Sequence, residues 1–173
     1  KELEIVTLNA SRSCIILNKN IEKINGFIDN LLNKGEDKIN IVVILKKTEI
    51  LSKVFYKGIS TINVATALKI KKKLIKDNDA SFYSQIENMV KNKDVKEILQ
   101  KIKNGGDELW DTFKVFVEEN FEKGKTAKLM HIHRNTLSYR LNKIEELTGL
   151  YFDNSIDIFR LISVYIYYNI YAN

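Results

Sequence analysis

The stretch Lys125 to Gly149 constrains this 173-residue chain more than any other, because it has the spacing of a short helix, a tight break and a longer helix. Small Ala127 lets two helices approach closely. Leu129, Ile132, Leu137, Leu141 and Ile144 supply apolar positions for a shared buried face. His131 stands at the turn, where left-handed geometry is expected; Gly is commoner there, but His is among the better-tolerated alternatives. With Leu137, Leu141 and Ile144 turned inward, Asn135, Tyr139 and Asn142 face away, with Arg134 and Ser138 on one flank.

The charge pattern sharpens the reading. Residues 1 to 104 hold 20 basic and 12 acidic side chains, whereas residues 105 to 173 hold 8 and 10. Yet within the acidic half the window from Lys123 to Lys143 contains Lys123, Lys125, Lys128, Arg134, Arg140 and Lys143 and no carboxylate. Such a local cationic patch on helix-turn-helix spacing points to double-stranded DNA. Asn bonds an adenine edge at two points, Arg a guanine edge, and Ser or Tyr either phosphate or base. The expected DNA-binding residues are Lys125, Thr126, Lys128, His133, Arg134, Asn135, Thr136, Ser138, Tyr139, Arg140, Asn142 and Lys143. Of these, Lys125, Lys128, Arg140 and Lys143 are assigned to phosphates and Thr126 to a phosphate at the start of the first motif helix. His133 is assigned to a helix N-cap or a phosphate.

Composition narrows the alternatives. The net charge of +6 comes from 28 Lys and Arg against 22 Asp and Glu, but 24 of the basic residues are Lys, a bias that makes global charge a weak argument. One Cys and two His exclude a disulfide framework and a multi-thiolate metal centre, so neither metal nor cofactor is expected. Cys14, in an apolar run, reads as an inert core residue in a reducing, cytoplasmic compartment. No run of 18 uncharged apolar residues is present, and the first ten residues lack the order of a signal peptide, so neither membrane span nor export is expected. Without an initiator Met, the chain reads as a fragment of a longer protein.

Upstream, the periods alternate. Strands are expected at Ser13 to Leu17, Ile39 to Leu45 and Glu49 to Tyr56, the last two forming a hairpin, and a short one at Ser81 to Tyr83. Helices are expected from Ile21 to Leu32, capped by Asn33 to Gly35, from Thr61 to Lys76, opened by Gly58 and broken by Asp77 to Asp79, and over residues 86 to 103. The lysines at 69, 71, 72, 73 and 76 read as the solvated side of a helix. Asn104, Gly105 and Gly106 mark a domain boundary, giving units 1–104 and 105–173. Asp107 then caps a helix through Trp110, Phe113, Phe116, Val117 and Phe121 that ends at Gly124. A last helix, Ser155 to about Tyr171, is apolar enough to bury against the bundle, a second subunit, or both.

The motif from His131 through Arg134, Asn135, Tyr139, Arg140, Leu141 and Ile144 to Gly149 resembles the C-terminal helix-turn-helix signature of the carbohydrate diacid regulator and purine-catabolism regulator families of bacterial transcription factors. In those families the motif follows a degenerate domain related to diguanylate cyclases but without their activity. Ser11 to Ile16, Asn40 to Ile44, Ala65 to Leu68 and Ser81 to Tyr83 resemble that middle domain in order. The resemblance implies an α+β protein: a small degenerate GGDEF-like α/β domain, followed by an all-α helix-turn-helix DNA-binding domain. It further implies a regulator of a catabolic operon, whose effector, a carbohydrate diacid or similar small molecule, binds upstream of this chain. A homodimer, paired through residues 1 to 104 or the last helix, is expected separately, because helix-turn-helix proteins gain affinity by presenting two recognition helices about 34 Å apart. An interaction module with only non-specific DNA affinity is the alternative.

Catalysis is not expected. Gly105 to Leu109 falls one residue short of the GGDEF signature, but it runs straight into a helical pattern rather than a hairpin and reads as linker plus helix cap. His131 and His133, two positions apart, share no helical face and have no third ligand nearby.

Overall fold

The computed structural model describes residues 3–9, 12–17, 42–44, 51–70 and 74–172. Strands β1 (Leu3–Asn9) and β2 (Arg12–Leu17) pair antiparallel, with Leu3 opposite Leu17 and a register shift between Thr7 and Asn9. Strand β3 (Val42–Ile44) pairs in parallel with β4 (Leu74–Lys76), and helix α1 (Leu51–Ala67) lies between them in sequence. Six helices follow β4: α2 (Asp77–Val90), α3 (Lys93–Asn104), α4 (Asp107–Glu118), α5 (Lys123–Leu129), α6 (Arg134–Thr148) and α7 (Ser155–Tyr171). The described protein is thus mostly helical.

Several upstream expectations are corrected. Glu49 to Tyr56 is no strand from Leu51 onward, since those residues open α1. Leu51, Val54, Phe55, Gly58, Ile59 and Ile62 recur at intervals of three and four, and that period outweighs the β-branched and aromatic bias of the run. Gly58 lies inside α1 rather than opening it. The helix stops at Ala67, well short of Lys76, because Lys69 takes a left-handed backbone (φ 52°). The Ile70 amide then donates to Ala65 O at 2.9 Å and Lys69 N–H to Thr66 O at 3.0 Å, the two bonds of a Schellman cap, and Ile70 packs beside Ala65. Ser81 to Tyr83 lie within α2, which Asp77 and Asp79 start rather than end. Residues 86 to 103 are split at Asn92, whose side chain caps α3 by accepting from the Asp94 amide at 3.3 Å. The helix expected at Ile21 to Leu32 and Lys71 to Lys73 lie outside the described residues, as does the side chain of Cys14.

One core joins α3 through α7. Val95, Ile98, Leu99 and Ile102 of α3 meet Trp110, Phe113, Phe116 and Val117 of α4, Leu137, Leu141 and Ile144 of α6, and Leu161, Val164 and Tyr165 of α7. Gly105 sits where α3, α4 and α6 converge: a Cβ there would come within 2.7 Å of the Leu147 side chain and 2.8 Å of the Leu109 side chain. The next residue, Gly106, takes φ 111° at the N-cap of α4, and Asp107 is the first helical residue rather than the cap. Helix α4 ends at Glu118, not Gly124, because Asn120 and Phe121 both adopt positive φ; Gly124 falls inside α5. Phe121 is held there by Phe116 at 5.4 Å, edge to face, and by Phe152.

Helix α7 also contacts α1 and α2, through a second cluster of Val64, Ala67, Ile86, Val90 and Ile166. Two carboxylates pin this junction. Glu118 accepts from Tyr165 Oη at 2.8 Å and pairs with Lys69 Nζ at 2.8 Å. Partial burial pushes its carboxyl up, but these hydrogen bonds outweigh that and hold it below the ordinary value. Buried Glu87 accepts from Tyr171 Oη and from Asn63 Nδ2, and its carboxyl is likewise lowered despite burial.

Candidate nucleic-acid interface

The α5–α6 connection is built by backbone geometry. His131 takes φ 53°, the Ile132 amide donates to Ala127 O at 3.1 Å and His131 N–H to Lys128 O at 3.2 Å. This Schellman motif ends α5 and turns the chain sharply into α6, with Ala127 and Ile132 packed against the main core. His131→Gly is expected to leave the fold intact and change stability by about 1 kcal/mol or less, because relief of the left-handed strain is offset by backbone entropy. His131→Val is expected to cost about 1–2 kcal/mol, since a β-branched residue tolerates that region poorly. Chemical denaturation of the pair checks this; equal stability would show that the turn carries no left-handed strain.

His133 caps α6, its Nδ1 accepting from the Asn135 amide at 3.3 Å, so this ring nitrogen is unprotonated in the capped form. Leu137, Leu141 and Ile144 are buried, as expected. The opposite face presents Arg134, Asn135, Thr136, Tyr139 and Asn142 to solvent, with Ser138 half-buried beside them. Tyr139 is 69% exposed. At the far end Gly149 (φ 70°) closes α6, its amide donating to Glu145 O at 2.8 Å.

The cations of the sequence window are not equivalent. Lys125 pairs with Glu122 at 2.6 Å and Lys143 with Glu146 at 2.9 Å; each hydrogen bond raises the ammonium pKa. Both pairs are solvent-exposed and yield readily to a phosphate. Lys123, Lys128 and Arg134 are exposed and have no carboxylate partner among the described residues. Arg140 is placed differently. Its side chain is mostly buried, donating to Glu108 Oε2 at 2.6 Å and to Thr112 Oγ1 at 3.4 Å, which braces α6 against α4. Thr126 is also turned inward: it is fully buried and its hydroxyl donates to Glu122 O at 2.9 Å. Leu129, expected in the buried face, is 58% exposed instead. It borders an open depression of about 400 Å³ with Glu119, Lys125, Lys128 and His131. Its position one turn after Lys125 gave no sequence signal that α5 would end before bringing it inward.

Most of α4, all of α5 and α6 and the first part of α7 fall within residues 109–164, which match the family model of the PucR C-terminal helix-turn-helix domain. This part of the chain is similar to the PucR-type helix-turn-helix domain. It is 48% identical over 46 residues to the carbohydrate diacid regulator of Escherichia coli (strain K12), covering 27% of this chain and 12% of that protein. The purine catabolism regulatory protein of Bacillus subtilis (strain 168) is 46% identical over 41 residues, 24% of this chain and 8% of that one. An uncharacterized protein of the same organism, YsfB, is 49% identical over 51 residues, or 30% and 14% of the two chains. The aligned stretch is therefore a small part of each of these relatives. No solved structure gives a significant match. Two of these relatives are named as regulators, one of carbohydrate diacid and one of purine catabolism. Among the described residues no helix is long and apolar enough to cross a membrane, and no group of three or more His, Cys, Asp or Glu could hold a metal ion.

Proposed function

We propose that this chain is the DNA-reading part of a sequence-specific transcription regulator of the sugar diacid regulator type, controlling a catabolic operon. The observation that carries this is the outward face of the first two turns of α6, where Arg134, Asn135, Thr136 and Tyr139 stand exposed with no carboxylate among them. Arg134 and Asn135 supply the two-point contacts to guanine and adenine edges, and Thr136, Ser138, Tyr139 and Asn142 extend the reading face along the major groove. Lys125, Lys128 and Lys143 neutralise phosphates, while His133 combines capping with a phosphate contact through its other ring nitrogen. Thr126 and Arg140 serve the interface by holding the helices in place.

Residues 1–104 act in this reading as a degenerate GGDEF-like regulatory unit and residues 105–173 as the DNA-binding unit. The described parallel pair β3 and β4 with α1 between them supports an α/β element upstream. The protein works as a cytoplasmic homodimer, and a carbohydrate diacid or similar effector bound upstream alters how the two recognition helices are placed.

Fluorescence anisotropy of this chain on DNA from upstream of its own gene, against a scrambled duplex across a salt series, tests the reading. Tighter binding to the native duplex is expected, with Arg134→Ala and Asn135→Ala each lowering that preference about tenfold or more. Equal, steeply salt-dependent binding to both duplexes would instead leave an interaction module with only phosphate attraction.

A further inference from the structure

We propose that Glu118 is a latch through which the upstream half of the chain sets the position of the first motif helix: its carboxylate fastens the capped end of α1 to the corner between α4 and α5, and loss of that contact weakens DNA binding. Glu118 is the last residue of α4 and takes one donor from each of two other segments, Lys69 Nζ and Tyr165 Oη, both at 2.8 Å. Both sides of the contact are left-handed helix ends. Lys69 (φ 52°) caps α1, and Asn120 and Phe121 (φ 53° and 63°) close α4 in the same manner, the Phe121 amide donating to Phe116 O at 2.8 Å and the Asn120 amide to Val117 O at 3.0 Å. Non-glycine residues keep such conformations where their surroundings hold them. At the end of α1 those surroundings come from the C-terminal half: Leu68 packs against both apolar clusters, and Asn169 of α7 donates to Tyr165 O at 3.1 Å and reaches Ala67 O at 3.5 Å.

The corner held in this way positions α5. Residues 119–122 alone separate Glu118 from that helix, and Glu122 is its N-cap residue, whose carbonyl accepts from the Thr126 amide at 3.0 Å and from the buried Thr126 hydroxyl at 2.9 Å. A shift of Glu118 is therefore passed to Thr126, and with it to Lys125 and Lys128 on the same short helix. The contact is also breakable on one side. The Lys69 side chain is 67% exposed, so its bond to the carboxylate lies in water and yields to a modest displacement of α1, whereas Tyr165 is buried and keeps its bond. Glu118 thus has two arrangements, shared between α1 and α7 or held by α7 alone. The first couples the upstream half to the α4–α5 corner and the second releases it, which makes the contact a regulatory one, operated by a signal arriving through α1.

The DNA readout of this latch rests on the DNA-binding reading, and its exchange readout does not. Lys69→Met, Glu118→Gln, the double variant and the charge swap Lys69→Glu with Glu118→Lys are compared with the unmodified chain, circular dichroism establishing that each is folded. Hydrogen exchange without DNA is expected to quicken at the Phe121, Thr126 and Met130 amides in both single variants and to return toward the unmodified rate in the swap. On the native duplex both single variants are expected to bind about two- to fivefold more weakly, the double variant no more weakly than either, and the swap to recover. The sign is diagnostic, since Glu118→Gln removes a negative charge and would by that alone tighten DNA binding. Unchanged exchange at those three amides overturns the proposal. So do tighter binding by Glu118→Gln, single losses that multiply in the double variant, or a salt slope flattened by about one unit in Lys69→Met, which would make Lys69 a phosphate contact. Quickened exchange in a chain that shows no preference for its native duplex even when unmodified would keep the latch on α5 and strike the DNA-binding reading instead.

Discussion

Phe113→Ala is expected to lower the unfolding free energy by about 3–5 kcal/mol, which is enough to leave the helix-turn-helix domain largely or wholly unfolded. Phe113 is fully buried in the middle of α4, stacked at 5.5 Å on Trp110, in the cluster that also takes Leu137, Leu141 and Ile144 of the recognition helix and Leu161 and Val164 of α7. Removing the ring takes away its transfer free energy and opens a cavity among α4, α6 and α7 that the surrounding helices close only in part. Phe113→Leu, which preserves most of the volume, is expected to cost about 1.5 kcal/mol or less. Urea denaturation followed by Trp110 fluorescence measures both. A loss below about 1 kcal/mol for the alanine variant would mean that α4 is not the central element of this core.

The C-terminal half was legible because its signals are redundant. Leu137, Leu141 and Ile144 share one helical face, Gly149 ends α6, and Asn154 starts α7, so period, cap and break agree, and the structure follows each. His131 was readable as a left-handed turn residue from motif spacing alone. By contrast, Lys69, Asn120 and Phe121 take left-handed conformations with no glycine to mark them, so α1 and α4 end earlier than any break in the sequence indicates. Phe121 is held in that conformation by Phe116 and Phe152, residues close in space but, for Phe152, distant in sequence. In the upstream half, the β-branched and aromatic composition of Glu49 to Tyr56 competes with its helical period, and from Leu51 onward the period prevails. At the interface, the sequence window could show that no carboxylate is near along the chain, but not that α4 brings Glu108 to Arg140 or that α5 turns Thr126 inward. Those placements depend on helix packing, which a linear count of charges does not contain.

Arg140 offers the clearest separation between holding the interface and touching DNA. Arg140→Ala is expected to lower stability by about 2–3 kcal/mol, since it removes a mostly buried guanidinium and leaves the fully buried Thr112 without that donor. Glu108 is largely exposed and regains water, which keeps the cost below that of breaking a fully enclosed ion pair. At a temperature where the variant stays folded, the dependence of log K on log salt should keep its slope, because Arg140 neutralises no phosphate in this arrangement. Lys128→Ala is expected to do the reverse, leaving stability within about 0.5 kcal/mol and flattening the slope by about one unit. Thermal unfolding and a salt titration on a nonspecific duplex measure the two effects independently. A flattened salt slope with unchanged stability for Arg140→Ala would show that the guanidinium leaves Glu108 when DNA binds, and would return it to the set of phosphate contacts that its place in the sequence implied.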